Sequence, residues 1–580
     1  MYRLSKWLPA AIILLYSVIA LYDLGGLELQ PWDESYYALR AKAILRFGCW
    51  LDQTDYAVSG FYSASHPPLQ IWWMALTATL FGLTEASLRI WSWLSFAGML
   101  TVLYGISRRT TFNIEASRSI AMLVVICAGG APLAVWYARI AQLDMMVLLF
   151  SSLQILTYLN YLHTRRKAYL ILLGAALALA LLTKSLVGLF PAMAILSHQV
   201  YLLWRRETHV AAILKVNSLW LLIGMLGFSW LAVVCWITPE HLKYYTDHYL
   251  INRFGRNLMP NGSRTGYFYY LNLIITRFPV ALICIAWFWK FFKDAAFRTN
   301  ERVLSVLWLM ITFVIMSLSQ TKLMFYGLLL WPPLMLISGE SLWIVGSSFG
   351  KQRSESSRPT GVAIASLVLL GAAVMWSAAA GWHREVSDLV LHLGSGSMEQ
   401  WFKFAVIAGS IPIGYAGAKV LLRFESARWI LPGLVAAVSI GAAMNTIANG
   451  LTNVPTIYST GIRSVKATCD SLQPSHIIYL VAEKRLSQPS INPQFSYYFD
   501  GLDLHSSRWP RRSAFTLLPV EKLNDSLYQI LSVAPDAVFI LDQIGSAADT
   551  SIDESLSESG VVRALKAGDY TVYQARATGR

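Results

Sequence analysis

The chain has 580 residues, of which 56% are hydrophobic and 14% charged, with 22 Trp, a formal net charge of +14 and a mean hydropathy of +0.48. That balance is too apolar for an ordinary soluble globule and places the chain in a bilayer. The positive charge does not point to nucleic acid, because Lys and Arg sit in clusters between apolar runs instead of gathering on one soluble domain.

Crossing the hydrocarbon core takes about 20 mostly apolar residues, and such runs recur from residue 7 to residue 449. The first, 7–24, follows Arg3 and Lys6 and lacks a small-x-small cleavage site, so it reads as a retained helix and not a signal peptide. An external loop over 25–87 follows, carrying "LQPWDESYYALRAKAIL" with the adjacent acids Asp33 and Glu34, and then His66 before two prolines. Its apolar stretch 67–83 reads as a helix at the outer interface, with Trp72 and Trp73 at headgroup level. A crossing there would carry Arg108 and Arg109 to the outside.

Further spans are expected at 88–106, 118–136, 145–163, 167–184, 186–204 and 214–236. A second external loop, 237–271, carries Arg253, Arg256 and Arg264 and the aromatic string "YFYY". The remaining spans are expected at 272–292, 302–320, 324–346, 361–380, 401–422 and 428–449. Basic clusters at 108–109, 165–167, 205–206, 290–298, 351–358 and 419–428 then all fall on the side of the N-terminus. Short loops rich in Lys and Arg stay cytoplasmic, so this parity gives about thirteen helices with the N-terminus inside.

An odd count sends 450–580 outside, where hydrophobic runs shorten and Ser, Asp, Gln and Pro rise. The runs "HIIYLVA", "FSYYFDG", "DAVFILDQ" and "DYTVYQA" read as strands, and "SVKATCDSL" and "VEKLNDSLYQIL" as helices, which predicts a small α/β domain. Residues 1–449 are the transmembrane catalytic domain in this reading. Cys127, Cys235 and Cys284 fall in spans and Cys49 and Cys469 outside, with no metal spacing or disulfide framework.

This topology gathers ionisable residues on one face: Asp33, Glu34 and His66, Arg139 and Asp144 in "WYARIAQLD", Lys184 in "LLTKS", Arg264, and Lys322 in "SQTKLMFYG". Charged groups at membrane depth are costly unless paired or wet, so together they mark a site. Each also has a plainer reading. Asp33 is then a solvated loop acid, Arg139 and Asp144 pair across a turn and a half of helix, and Lys184 snorkels to the headgroups.

At these residues the chain resembles the protein O-mannosyltransferase and aminoarabinose (lipid A) transferase superfamily. The matching pieces are "DESYYALRAKAILRFGCW", "ASHPPLQIWWMALTATLFG", "ARIAQLDMM", "LLTKSLVGLFP", "SRTGYFYYLNLIITRFP" and "TKLMFYGLLLWPPL", in family order over most of residues 1 to 340. The resemblance implies a polytopic α-helical C-type glycosyltransferase (GT-C) fold in a bacterial inner membrane, using a polyprenyl-phosphate sugar as donor and an envelope lipid, protein or glycan as acceptor. It implies that Asp33 acts as general base or acceptor positioner with Glu34 in support. Lys184, Arg264 and Lys322 then meet the leaving phosphate, Tyr326 donates a hydroxyl, and His66, Arg139 and Asp144 complete the donor site.

Two departures matter. Where aminoarabinose transferases carry Glu-Lys-Pro the chain reads Ser65, His66, Pro67, and where they carry His-Arg it reads Ser263, Arg264. The absent Glu and His belong to the family's metal surroundings. No cofactor is certain from the sequence, and a divalent metal ion stays open, with His66 and an acidic neighbour able to take it. The external site and the absence of a nucleotide fingerprint speak against nucleotide sugars as donors. The rivals are a transporter or flippase for a lipid-linked sugar, which lacks support from inverted repeats, and a non-catalytic envelope scaffold.

Overall fold

The computed structural model describes residues 4–56, 61–110, 114–252, 269–277, 283–350, 461–481, 493–499, 515–542, 556–557, 561–567 and 570–575. Helix α1 (Leu4–Leu21) is followed by an irregular strap that enters α2 (Asp33–Phe47). Asp33 and Glu34 occupy the first turn of α2, where the helix dipole favours anions. Gly48, at φ 68°, closes the helix in the left-handed conformation that glycine adopts without strain.

A short helix, α3 (Phe61–Ala64), precedes α4 (Leu69–Phe81). At 13 residues, α4 is about 20 Å long, too short for a hydrocarbon core of about 30 Å. The helical body continues with α5 (Glu85–Thr110), α6 (Ile114–Gly129), α7 (Pro132–Tyr137), α8 (Asp144–Thr164), α9 (Ala168–Lys184) and α10 (Phe190–Trp204). It runs on through α11 (Val210–Met225), α12 (Ser229–Ile237), α13 (Glu240–Tyr244), α14 (Tyr269–Arg277), α15 (Cys284–Lys293), α16 (Asn300–Leu318) and α17 (Trp331–Gly350).

Among the described residues, six helical segments are long and apolar enough to cross a membrane: 85–110, 144–164, 168–204, 210–237, 300–318 and 324–345. They coincide with expected spans, except that 168–204 carries two of them, broken at Lys184 and Ser185. The expected spans at 7–24 and 118–136 correspond to the shorter apolar helices 7–21 and 116–129. The spans expected at 361–380, 401–422 and 428–449 lie outside the described residues.

Helix α8 packs against α5 and α9, and α6 against α17. Small residues make the close approaches: a Cβ at Gly174 would stand 2.7 Å from Ile223 and from the Trp220 carbonyl, so α9 and α11 meet backbone to side chain. A separate apolar cluster joins α2 to α4, with Tyr36, Tyr37, Ile44, Ile71, Met74 and Leu143, and takes in Tyr497 from the tail.

The tail segment builds one mixed sheet from β1 (Ile477–Val481), β2 (Phe515–Pro519), β3 (Val538–Asp542), β4 (Val561–Ala567) and β5 (Tyr570–Ala575), ordered β2-β1-β3-β5-β4. Strand β1 runs parallel to β2 and β3, while β5 is antiparallel to β3 and β4. Alternate residues feed two cores: Ile478, Leu480, Phe539 and Leu541 on one face, Tyr479, Val481, Val538 and Ile540 on the other. Helices α18 (Ile462–Leu472), α19 (Pro493–Tyr498) and α20 (Leu523–Val533) accompany it. "FSYYFDG", expected as a strand, is helix over 493–498. The helical repeat stacks Phe495 on Phe499 with centroids 4.1 Å apart, which a strand's alternation would not do.

Candidate active site

The site forms where α2, α7, α8 and α9 begin or end together. Lys184, the last residue of α9, donates to Asp144, the first residue of α8, at 2.6 Å, with their side chains 14% and 4% exposed. The Lys184 ammonium also faces the rings of Phe325 and Tyr326, 5.0 and 5.6 Å from the centroids. Tyr137, buried at the end of α7, has Asp144, Asp33 and Tyr269 as its charged and polar electrostatic neighbours. Tyr269 and Tyr270 meet edge to face, and Tyr270 in turn neighbours Tyr326.

Asp33, Asp144, Lys184 and Tyr326 are thus brought into one neighbourhood, with Asp33 half-buried beside it. Lys322 lies four residues before Tyr326, is 4% exposed and donates to the Ser319 carbonyl. Burial pushes its pKa down. Arg264 lies outside the described residues.

The backbone break that presents Lys184 is strained. Ser185 sits at φ 48° and ψ −130°, a region that favours glycine. Its hydroxyl bonds to that of Tyr245, so the segment that follows α13 reaches the break.

Three of the residues singled out in the sequence are anchors in the structure. Glu34 is fully buried, and its carboxylate accepts from Arg89 Nε at 2.7 Å and Nη2 at 3.0 Å, from the Gln30 amide at 2.7 Å and from the Ala141 amide at 2.7 Å. Every carboxylate lone pair is engaged, which leaves it a tie between α2, α5 and the 138–143 turn and not a proton acceptor.

Arg139 does not pair with Asp144. The chain leaves the helix after Tyr137 and turns over 138–143, so the assumed helical spacing does not exist. Arg139 instead donates to the carbonyls of Ala20, Tyr22 and Asp23 at the end of α1. Burial, with Arg89 close by, lowers its pKa to about 10, so it stays cationic at neutral pH. His66 is half-buried with its ring edge-on to Tyr37 at 5.6 Å, and its carbonyl accepts from Arg40.

Beside His66 lies a network that the sequence did not reveal. His241, fully buried, approaches Ser65 Oγ through Nδ1 at 3.1 Å and Thr54 Oγ1 through Nε2 at 2.6 Å, with Asp52 Oδ1 at 3.5 Å. Burial raises the Asp52 pKa, but hydrogen bonds from His241, Thr238 and Thr54 together outweigh it and hold the carboxyl well below its usual range. Arg89 was equally hidden; its signal was a lone cation just inside an apolar run.

A divalent ion beside His66 does not fit these residues. Where the family carries Glu, the Ser65 hydroxyl is committed to His241, and among the described residues no three His, Cys, Asp or Glu side chains converge. No step below passes through a metal.

The chain has the C-type glycosyltransferase (GT-C) fold. It matches ArnT from Cupriavidus metallidurans bound to undecaprenyl phosphate with a TM-score of 0.66, 18% identity and 99% of both chains covered. The family model for dolichyl-phosphate-mannose-protein mannosyltransferase matches residues 65–236. Among curated relatives, the undecaprenyl phosphate-alpha-4-amino-4-deoxy-L-arabinose arabinosyl transferase of Pseudomonas savastanoi pv. phaseolicola is 27% identical over 64% of this chain and 66% of its own length. A transferase of the same description from Pseudomonas fluorescens is 23% identical over 58% of each chain. The chain thus spans less than two thirds of the length of these relatives.

Proposed function

We propose that the chain is a membrane glycosyltransferase that moves a sugar from an undecaprenyl-phosphate type of donor to an envelope acceptor on the external face of the membrane. The observation that carries this reading is the convergence of Asp33, the Asp144–Lys184 pair and Tyr326 at one end of the bundle, in a fold shared with a protein solved with undecaprenyl phosphate. A transporter has no need of a carboxylate at Asp33 in particular.

In the reaction the sugar's C1–O bond to phosphate breaks, its electron pair leaving with the polyprenyl phosphate, and a new C1–O bond forms to the acceptor. Lys184 and Lys322, with Arg264, supply cations for the departing phosphate, and Tyr326 a hydroxyl donor. Asp144 fixes the Lys184 ammonium. Asp33 takes the proton of an acceptor hydroxyl, or orients an acceptor phosphate that is already ionised. The relatives' names favour an aminoarabinose-type sugar, and a lipid A-type lipid is the acceptor preferred here over protein or glycan.

The test is mass spectrometry of envelope lipids from a deletion strain complemented with wild type or with Asp33→Asn at matched expression. Loss of a sugar-sized mass in the deletion and the variant is expected. An unchanged lipid profile with glycosylated polyprenyl phosphate accumulating moves the acceptor to protein or glycan. No response in either pool overturns the transferase.

A further inference from the structure

Between α1 and α2 the strap runs without regular hydrogen bonding, yet its carbonyls are tied one after another. Arg89 Nη1 donates to Leu24 and Leu27 at 3.0 and 2.7 Å, and Nη2 to Glu28 at 2.8 Å. Arg463, on α18 of the tail domain, donates to Gly25 at 2.8 Å, Gly26 at 2.9 Å and, more weakly, Leu27 at 3.4 Å. Gln494 on α19 takes the Leu29 carbonyl and Ser35 that of Gln30. Two guanidinium forks, one from α5 and one from the tail domain, therefore hold the strap by its carbonyls. Asp33 begins the helix three residues beyond it.

The grip is reinforced at the same place. Arg463 pairs with Glu85 at 2.7 Å, and its amide donates to Glu28 at 2.8 Å. Tyr498 donates to Glu85 at 2.6 Å while accepting from the Leu29 amide at 3.3 Å, and Lys42 of α2 donates to the Tyr497 carbonyl at 2.8 Å. Lys42 and Asp33 share one helix, so the tail domain holds the strap that enters the Asp33 helix and the helix itself at Lys42.

We infer that the tail domain is a working part of the transferase site, with Arg463 as a positioning residue for Asp33. The inference rests on the transferase reading above for the role of Asp33, but the grip itself does not. A carbonyl withdrawn from water must find a donor, and the half-buried Gly25 carbonyl finds it in Arg463 Nη2. Without Arg463 the Gly25 carbonyl loses this donor and the strap loses its tie to Glu85, and the turn that aims Asp33 is free to move.

The experiment compares the full chain as wild type, Arg463→Ala, Arg463→Lys and Asp536→Asn in nanodiscs. Asp536 is an exposed tail residue that bonds to Ser475, away from the strap. The readouts are hydrogen exchange over residues 22–36, binding of undecaprenyl phosphate itself, and, in cells, the sugar-sized mass that Asp33→Asn removes. Arg463→Ala is expected to speed exchange in the strap and lower the product, each by about tenfold or more, since it deletes several charge-assisted hydrogen bonds. Undecaprenyl phosphate affinity should stay within about twofold, Arg463→Lys should fall between because an ammonium lacks the fork, and Asp536→Asn should match wild type. Unchanged strap exchange in Arg463→Ala overturns the inference, as does a product loss accompanied by lost undecaprenyl phosphate binding, which marks general unfolding. If wild type makes no product, the transferase reading fails by itself, and strap exchange alone decides whether Arg463 pins the strap.

Discussion

Lys184 closes α9 and Asp144 opens α8, and their charged atoms meet at 2.6 Å, each at the helix end whose dipole favours its sign. The pair is largely buried, so removing one partner leaves the other charge stranded, at a cost of roughly 3–5 kcal/mol. Asp144→Asn should therefore lower the unfolding temperature in detergent and abolish transfer. Asp144→Asn combined with Lys184→Met should recover much of the stability and none of the transfer. Recovered transfer in the double variant would show that Lys184 serves the fold and not the phosphate.

Asp33 and Glu34 are neighbours with opposite expected outcomes. Glu34 is sealed against Arg89, so Glu34→Gln should destabilise the chain by about 3–5 kcal/mol. Asp33 is half-buried where Glu34 is sealed, and Asp33→Asn should leave thermal stability within about 1 kcal/mol of wild type while product falls at least a hundredfold. Thermal unfolding of both variants beside the lipid assay checks this. Equal destabilisation by the two would make Asp33 another anchor.

Asp144 and Lys184 stand out in the sequence because charge at the end of an apolar run is costly and therefore conspicuous, and Asp33 because it adjoins a second acid in the loop after the first such run. The helical body was legible for the same reason, and strands β1, β3 and β5 because their apolar residues run together. What escaped was set by partners distant in the chain. Glu34 became an anchor through Arg89, 55 residues away, and Arg139 through carbonyls more than 110 residues away. The Arg139–Asp144 spacing misled because the helix it assumed ends at Tyr137. Helix α19 was misread because four aromatics in five residues satisfy a strand's preferences, and only docking on Leu29 and Glu85 selects the helical repeat.

Asp52, in the segment that follows α2, fastens α13 to it through Thr238 and His241. Its pKa is lower in the folded chain than the usual value of about 3.9. Its stabilisation is therefore complete above about pH 4 and is lost as pH falls through the folded value. Proteolysis within 238–252 should be insensitive to pH from 7 to about 5 on account of this carboxylate, and Asp52→Asn should raise it at every pH in that range. Cleavage of the variant at the wild-type rate would show that the loop is held elsewhere.

Ser185 combines a strained backbone with a hydroxyl contact to Tyr245, and the two contributions separate by substitution. Ser185→Ala deletes the hydroxyl and keeps a side chain where φ is 48°. Ser185→Gly deletes the hydroxyl and relieves the strain. Glycine should therefore be more stable than alanine by about 1–2 kcal/mol at this position, reversing their usual order next to a helix. If the strain serves to aim Lys184, Ser185→Gly should also lower transfer although it is the more stable of the two, because the break between α9 and α10 is then free to relax. Thermal unfolding and product yield for the two variants settle both points: alanine more stable than glycine removes the strain, and glycine transferring better than alanine removes its role in aiming Lys184.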